Sequence, residues 1–212
     1  MRMDNQPVFI VFAGPNGSGK STLKLRAEND PDFPACYINA DEIKKNSKCT
    51  DLEAQATARQ ACEDAVAKKE PFAFETVFSH ISKLALMERA KQASYWVQLH
   101  FVCLQDAEIN VARVHKRVAT GGHPVPEDKI ISRYPNSMRL LSQSFAVADE
   151  ALVFNNSWTD PKLIARKTSD GKPHIYPNPE SRWTKEEIQI LLGISERPLS
   201  NKPCPASGLS RS

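Results

Sequence analysis

Long apolar runs are missing from this chain. No stretch reaches the roughly 18 consecutive apolar residues that a bilayer-spanning helix needs, so no membrane span is expected. Cysteine is sparse and scattered. Cys36, Cys49, Cys62, Cys103 and Cys204 are odd in number and form no C-x-x-C pair, which excludes a disulfide framework and a zinc site. Charge of one sign is also lacking. The 28 Lys and Arg against 25 Asp and Glu leave a net charge of +3, enough for a modest cationic groove but too little for a nucleic-acid-coating protein. The residues before the first apolar run carry no secretory h-region, and no internal repeat is visible. With 41% hydrophobic and 25% charged residues in 212, the expectation is a cytoplasmic enzyme domain that buries a core and has no nucleic-acid or membrane partner.

The stretch that carries most information follows the apolar run 8–13. It comprises Gly14, Pro15, Asn16, Gly17, Ser18, Gly19, Lys20, Ser21 and Thr22, and it satisfies G-x-x-x-x-G-K-[ST] between a buried strand and a helix pattern. Glycines let successive backbone N–H groups curl around a phosphate that side chains would keep away. The following helix points its positive end at the same anion. Lys20 reaches the outer phosphates, and the Ser21 hydroxyl is the expected ligand of Mg²⁺. The implied cofactor is a nucleoside triphosphate, ATP, with Mg²⁺.

The rest of the chain alternates strand and helix patterns, and polar residues recur where strands end. In an open parallel sheet, that carboxyl edge is where ligands bind. Strand 33–38 ends in Asn39-Ala40-Asp41, and Asp41 is either a helix cap or a catalytic carboxylate. Strand 72–74 runs directly into Glu75 and Thr76, and a carboxylate leaving an apolar strand needs a partner, a metal or a ligand. His80 reads as the opening of the next helix. The apolar run 95–104 suits a central, doubly covered strand closed by Gln105 and Asp106. Asp106 is the weakest of three acidic candidates for supporting magnesium, because it equally suits a helix cap.

Helix 107–119 carries Arg113 and Arg117 on one face. It leads into Thr120-Gly-Gly-His-Pro-Val-Pro126 and then a helix with Arg133 and Tyr134, a pattern that suggests a lid over about 113–135. A fifth strand, 150–154, ends in Asn155-Asn156-Ser157, the corner that tends to approach the base in nucleotide kinases, although any short turn prefers Asn and Ser. Ser169-Asp170-Gly171 signals a hairpin, Thr184 with Glu187 opens a last helix as a capping box, and 195–212 reads as a disordered tail. The expected fold is therefore α/β: a P-loop NTPase of three αβα layers. It has a five-stranded, mostly parallel sheet, a helical lid and a small C-terminal hairpin, all within one domain over 1–194.

In these motifs, spread in consistent order over residues 8 to about 157, the chain resembles the zeta-toxin family of phosphate-loop kinases. The resemblance implies ATP-dependent phosphorylation of a hydroxyl on a sugar nucleotide, typically UDP-N-acetylglucosamine, and an antitoxin protein as possible partner. It implies Asp41 as the base, Glu75 and Thr76 as substrate contacts, and Arg117 on the transferring phosphate. Arg113 falls on the nucleotide side, and His123 and Arg133 on the substrate side. His123 stands where the larger members carry a second phosphate-binding arginine, and the chain lacks their long C-terminal helical region. Two other readings are weighed beside it. One is a different small-molecule or polynucleotide kinase on the same fold. The other is an ATP-dependent switch, which would need no acceptor-activating base.

Overall fold

A computed structural model describes residues 2–195 apart from residue 4. The expected tail, 195–212, lies almost wholly outside the described residues. The elements are β1 (Val8–Ala13), α1 (Lys20–Ala27), β2 (Cys36–Asn39), α2 (Ala40–Ser47), α3 (Asp51–Lys68), β3 (Phe72–Thr76) and α4 (Ile81–Gln92). They continue as β4 (Trp96–Cys103), α5 (Ala107–Ala119), α6 (Glu127–Val147), β5 (Glu150–Asn155), β6 (Lys162–Lys167), β7 (Pro173–Ile175) and α7 (Lys185–Leu191).

All six residues of β1 are buried, because the strand is covered on both faces. Phe9, Val11 and Ala13 point into the larger core, under Ala58, Cys62 and Ala65 of α3, Leu84 and Met87 of α4, and Leu140 and Phe145 of α6. Val8, Ile10 and Phe12 point the other way, against Leu23 and Ala27 of α1. The stripe Ala54, Ala58, Cys62, Ala65 recurs at helical spacing with small side chains, so α3 lies close to the sheet. Thr50 and Glu53 form a capping box that starts this helix.

The sheet runs β2-β3-β1-β4-β5-β6-β7. Its first five strands are parallel. The chain leaves β1 towards one side, to β2, and leaves β3 towards the other, to β4. The crevice between β1 and β3 is therefore the switch point at which open α/β sheets bind ligands. Ala13 pairs with Thr76 and Asn39 with Glu75, so the polar ends of β1, β2 and β3 arrive together.

The expected hairpin is present but is not a separate unit. Its strands β6 and β7 add antiparallel to β5 and extend the sheet from five strands to seven, covering what would have been an open edge. Helix α6 also runs on without a break through Pro135 for 21 residues.

The aromatic stack of Phe9 on Phe72, with centroids 4.2 Å apart, joins β1 to β3 at full burial. Phe72→Ala is expected to cost about 3–5 kcal/mol, read as a lowered urea midpoint with an unchanged slope.

Candidate active site

Steric limits shape the loop after β1. Gly14, Gly17 and Gly19 have φ of 140°, 73° and 101°, the left-handed side that side chains avoid. Space is closed as well. A Cβ on Gly14 would strike the Val102 carbonyl, one on Gly17 would lie 2.9 Å from the Asn110 carbonyl, and one on Gly19 would lie 2.5 Å from Asn156 Nδ2. Side-chain amides pull the loop's carbonyls outward: Asn110 donates to Asn16 O, and Asn156 donates to Ser18 O at 2.8 Å. Among the described residues the N–H groups of Asn16, Gly17 and Gly19 have no protein acceptor, so the loop keeps donors for an anion.

Lys20 opens α1, is 8% exposed, and donates to Pro15 O at 3.0 Å. Burial holds its ammonium below the ordinary lysine value, while Glu75 and Asp41 push the other way and Arg117 adds to the lowering. A buried cation with two carboxylates and an arginine near it is a charge cluster arranged for a ligand rather than for stability.

Glu75 is the hinge between the two halves of the site. Ser21 Oγ donates to its Oε1 at 2.9 Å, Tyr37 Oη donates to its Oε2 at 2.6 Å, and Asn39 Nδ2 donates to Tyr37 Oη at 3.1 Å. Burial first, and then the Glu75 charge, hold the Tyr37 phenol far above its ordinary value, so it remains a donor. Asp41 is not the cap of α2. That role falls to Asn39, whose Oδ1 accepts from Asp41 N at 2.8 Å, which leaves the Asp41 carboxylate exposed in the cavity. Asp106 does cap a helix, accepting from Ile109 N at 3.1 Å, and it pairs with Arg182 at 3.5 Å. It does not line the cavity. His80 caps α4 by accepting from Ser82 N, and Thr76 Oγ1 accepts from Phe78 N at 3.3 Å.

A cavity of about 390 Å³ joins these parts. Its walls include Lys20, Ser21, Asp41, Glu75, Thr76, Arg113, Arg117, His123 and Arg133, so the expected catalytic, nucleotide-side and substrate-side residues beyond the loop share one space, and of the three acidic candidates only Asp106 is left out. Arg117 Nη2 donates to His123 O at 2.7 Å, within the turn that joins α5 to α6. Arg113 Nη2 donates to Trp158 O at 2.9 Å and also lines a second cavity, of about 230 Å³, with Arg26, Asn156 and Pro161.

The sequence profile of the Zeta toxin family matches residues 1–160. The chain belongs to the zeta toxin family. Together with the intact loop and its lysine, membership makes this zeta-family chain a P-loop phosphotransferase. An uncharacterized protein of Haemophilus influenzae is 33% identical over 138 residues, 62% of this chain and 94% of that one. The PezAT chromosomal toxin–antitoxin system of Streptococcus pneumoniae includes a chain of similar fold, with TM-score 0.56, 14% identity, and coverage of 90% of this chain and 85% of that one. The AvrRxo1-ORF1:AvrRxo1-ORF2 structure with sulphate ions matches with TM-score 0.60 at 14% identity, covering 80% of this chain. This chain spans 61% of that longer one.

Tyr37, Asn110 and Lys83 face or support the site but were not among the residues expected from sequence. Tyr37 sits inside an apolar strand pattern, and Asn110 is an ordinary polar residue on an amphipathic helix. Asn156, in the corner after β5, donates to Ser18 O and so clamps the phosphate loop.

Gly14→Ala is expected to abolish nucleotide binding in equilibrium dialysis, because both φ and the Val102 carbonyl forbid the side chain. Asp106→Ala is expected to lose about 0.5–2 kcal/mol of stability through the lost cap, with nucleotide affinity unchanged.

Proposed function

We propose that this chain transfers the γ-phosphoryl group of ATP to a hydroxyl of a sugar nucleotide of the UDP-N-acetylglucosamine kind, as the toxin of a toxin–antitoxin pair. One observation carries the reading. The phosphate loop's Lys20 and Ser21 share a single cavity with the carboxylates of Asp41 and Glu75, the second of which accepts from Ser21, and with the cations of residues 113–133. A kinase needs those two halves. A switch ATPase has no use for an exposed carboxylate in that cavity. An ATP complex has been described for the similarly folded AvrRxo1-ORF1:AvrRxo1-ORF2 assembly, and PezAT is a toxin–antitoxin system.

Phosphoryl transfer asks for positioning and charge neutralisation more than for covalent chemistry on the protein. Residues 14–22 hold the triphosphate through backbone N–H groups, and Lys20 places its ammonium on the outer phosphates. Arg113 lies on the nucleotide side. Mg²⁺, when bound at Ser21 with Glu75 beside it, supplies further positive charge to the phosphates. Asp41 accepts the proton of the acceptor hydroxyl as the hydroxyl oxygen bonds to the γ-phosphorus, and the bond from that phosphorus to the β–γ bridging oxygen breaks to release ADP. Arg117 and His123 face the transferring group, and Glu75, Thr76 and Arg133 orient the acceptor. The turn 120–126 and its flanking helices form a lid that excludes competing water.

Mass spectrometry after incubation with Mg-ATP and a panel of UDP-sugars is expected to show the gain of one phosphate on at least one of them. ATP consumed with no sugar nucleotide modified would overturn the reading. Asp41→Asn is expected to slow transfer by about 10²–10⁴-fold with ATP affinity retained. Lys20→Ala is expected to lose nucleotide binding itself, so the two variants separate chemistry from binding.

A further inference from the structure

Among the described residues, burial holds three lysine ammoniums below their ordinary value: Lys20, Lys83 and Lys167. Two of them have acceptors. Lys20 donates to Pro15 O, and Lys167 donates to the carbonyls of Phe145, Ala146 and Ala148 at 3.0, 2.9 and 2.7 Å. Lys83 has none. Among the described residues no carboxylate pairs with it, and no carbonyl or hydroxyl accepts from its Nζ. The charge it does feel from Arg59 is repulsive, and burial pushes the nearby Cys62 thiol up to about 12, so that thiol is neutral and offers no counter-ion.

Its surroundings are partly apolar. Nζ stands 5.2 Å from the centre of the Phe74 ring, a contact that gives a cation only part of what water would give. Lys83 also lines the 390 Å³ cavity, as do Ala54, Gln55, Ala58 and its neighbour Phe74. A half-desolvated ammonium without an acceptor, facing open space in an active-site cavity, is held ready for an anion that the protein does not supply.

We propose that Lys83 is a specificity-determining residue that binds an anionic group carried by the acceptor itself, a phosphate or a carboxylate remote from the hydroxyl that is phosphorylated. This rests on the reading that the same cavity takes the acceptor. It narrows the substrate class. Nucleotide sugars, sugar phosphates and acidic sugars fit, and neutral sugars leave the ammonium unpaired. The triphosphate of ATP is served separately by residues 14–22, so the two anions occupy different cations of one cavity.

The test is calorimetric titration of three probes into protein saturated with a non-hydrolysable ATP analogue: UDP, a hexose 1-phosphate and a hexuronate. At least one probe is expected to bind the unaltered chain and to bind Lys83→Met at least tenfold more weakly, with Lys83→Arg retaining most of the affinity. The phosphate and carboxylate probes tell the two anion classes apart. The affinity of the ATP analogue is expected to be the same in all three proteins. The thermal midpoint of Lys83→Met is expected to equal or exceed that of the parent, because an unpaired, desolvated charge is removed; a purely structural lysine would give the opposite sign. Equal probe affinity in Lys83→Met, or no probe bound by the unaltered chain, overturns the proposal. A probe bound through Lys83 while no UDP-sugar is phosphorylated overturns the sugar-nucleotide reading and leaves this one standing.

Discussion

The phosphate loop has no room for a side chain at its corners, and much of the structure depends on that fact. Three separate elements close the space: the Val102 carbonyl of β4, the Asn110 carbonyl of α5, and the Asn156 amide that follows β5. The loop is therefore moulded from outside as well as permitted by its glycines. Asn110 and Asn156 also draw its carbonyls outward, which is what leaves N–H groups facing in. A backbone anion site is a matter of where the carbonyls go, because each peptide that points its oxygen away presents its hydrogen. The same moulding ties nucleotide binding to α5. One buried side of that helix, through Asn110, Val114 and the base of Arg113, supports the loop, and the helix carries Arg113 and Arg117 beyond it.

Charge follows the same plan. Lys20 loses water on folding and recovers only a carbonyl contact and the pull of two carboxylates at a distance. Glu75 could quench it directly, yet its two oxygens are taken by Ser21 and Tyr37. The carboxylate is thus oriented by hydroxyls rather than consumed in an ion pair. An ion pair would fix both partners and close the site to ligand, whereas hydroxyl donors fix the carboxylate and leave the ammonium available.

Much of this was legible in the sequence, for physical reasons that differ by residue. The phosphate loop declares itself because its constraint is local: glycine spacing, lysine and serine are all read from nine adjacent positions. Glu75 was legible because a carboxylate directly after an apolar strand has no bland explanation. Asp41 stayed ambiguous between cap and base, and only the geometry of Asn39 two residues earlier assigns the cap elsewhere. Tyr37, Asn110 and Lys83 were invisible for one shared reason. Their importance lies in contacts across 38, 94 and 9 positions of chain, to Glu75, Asn16 and Phe74, and no periodicity encodes such pairings. The seventh strand count had a similar origin. The hairpin signal was correct, but its pairing to β5 rather than to itself alone is a tertiary choice.

Helix α6 shows how far rigidity extends over the cavity. Helix α6 begins at the turn that carries His123 and ends with Leu140, Leu141 and Phe145 in the core. Along the way Tyr134 donates to Leu104 O at 2.7 Å and Ser137 donates to Val77 O at 2.6 Å, in the segment just after Glu75 and Thr76. A 21-residue helix of about 1.5 Å rise per residue, anchored at its far end and twice on its flank, cannot swing as a free flap. Freedom is thus confined to the turn 120–126, and even there Gly122 is pressed against Arg117, whose guanidinium holds the His123 carbonyl. The cations above the cavity are consequently positioned by the fold before any ligand arrives. Little ordering of them is left to do at the moment of transfer, which is the condition under which fixed charges stabilise a developing one most effectively.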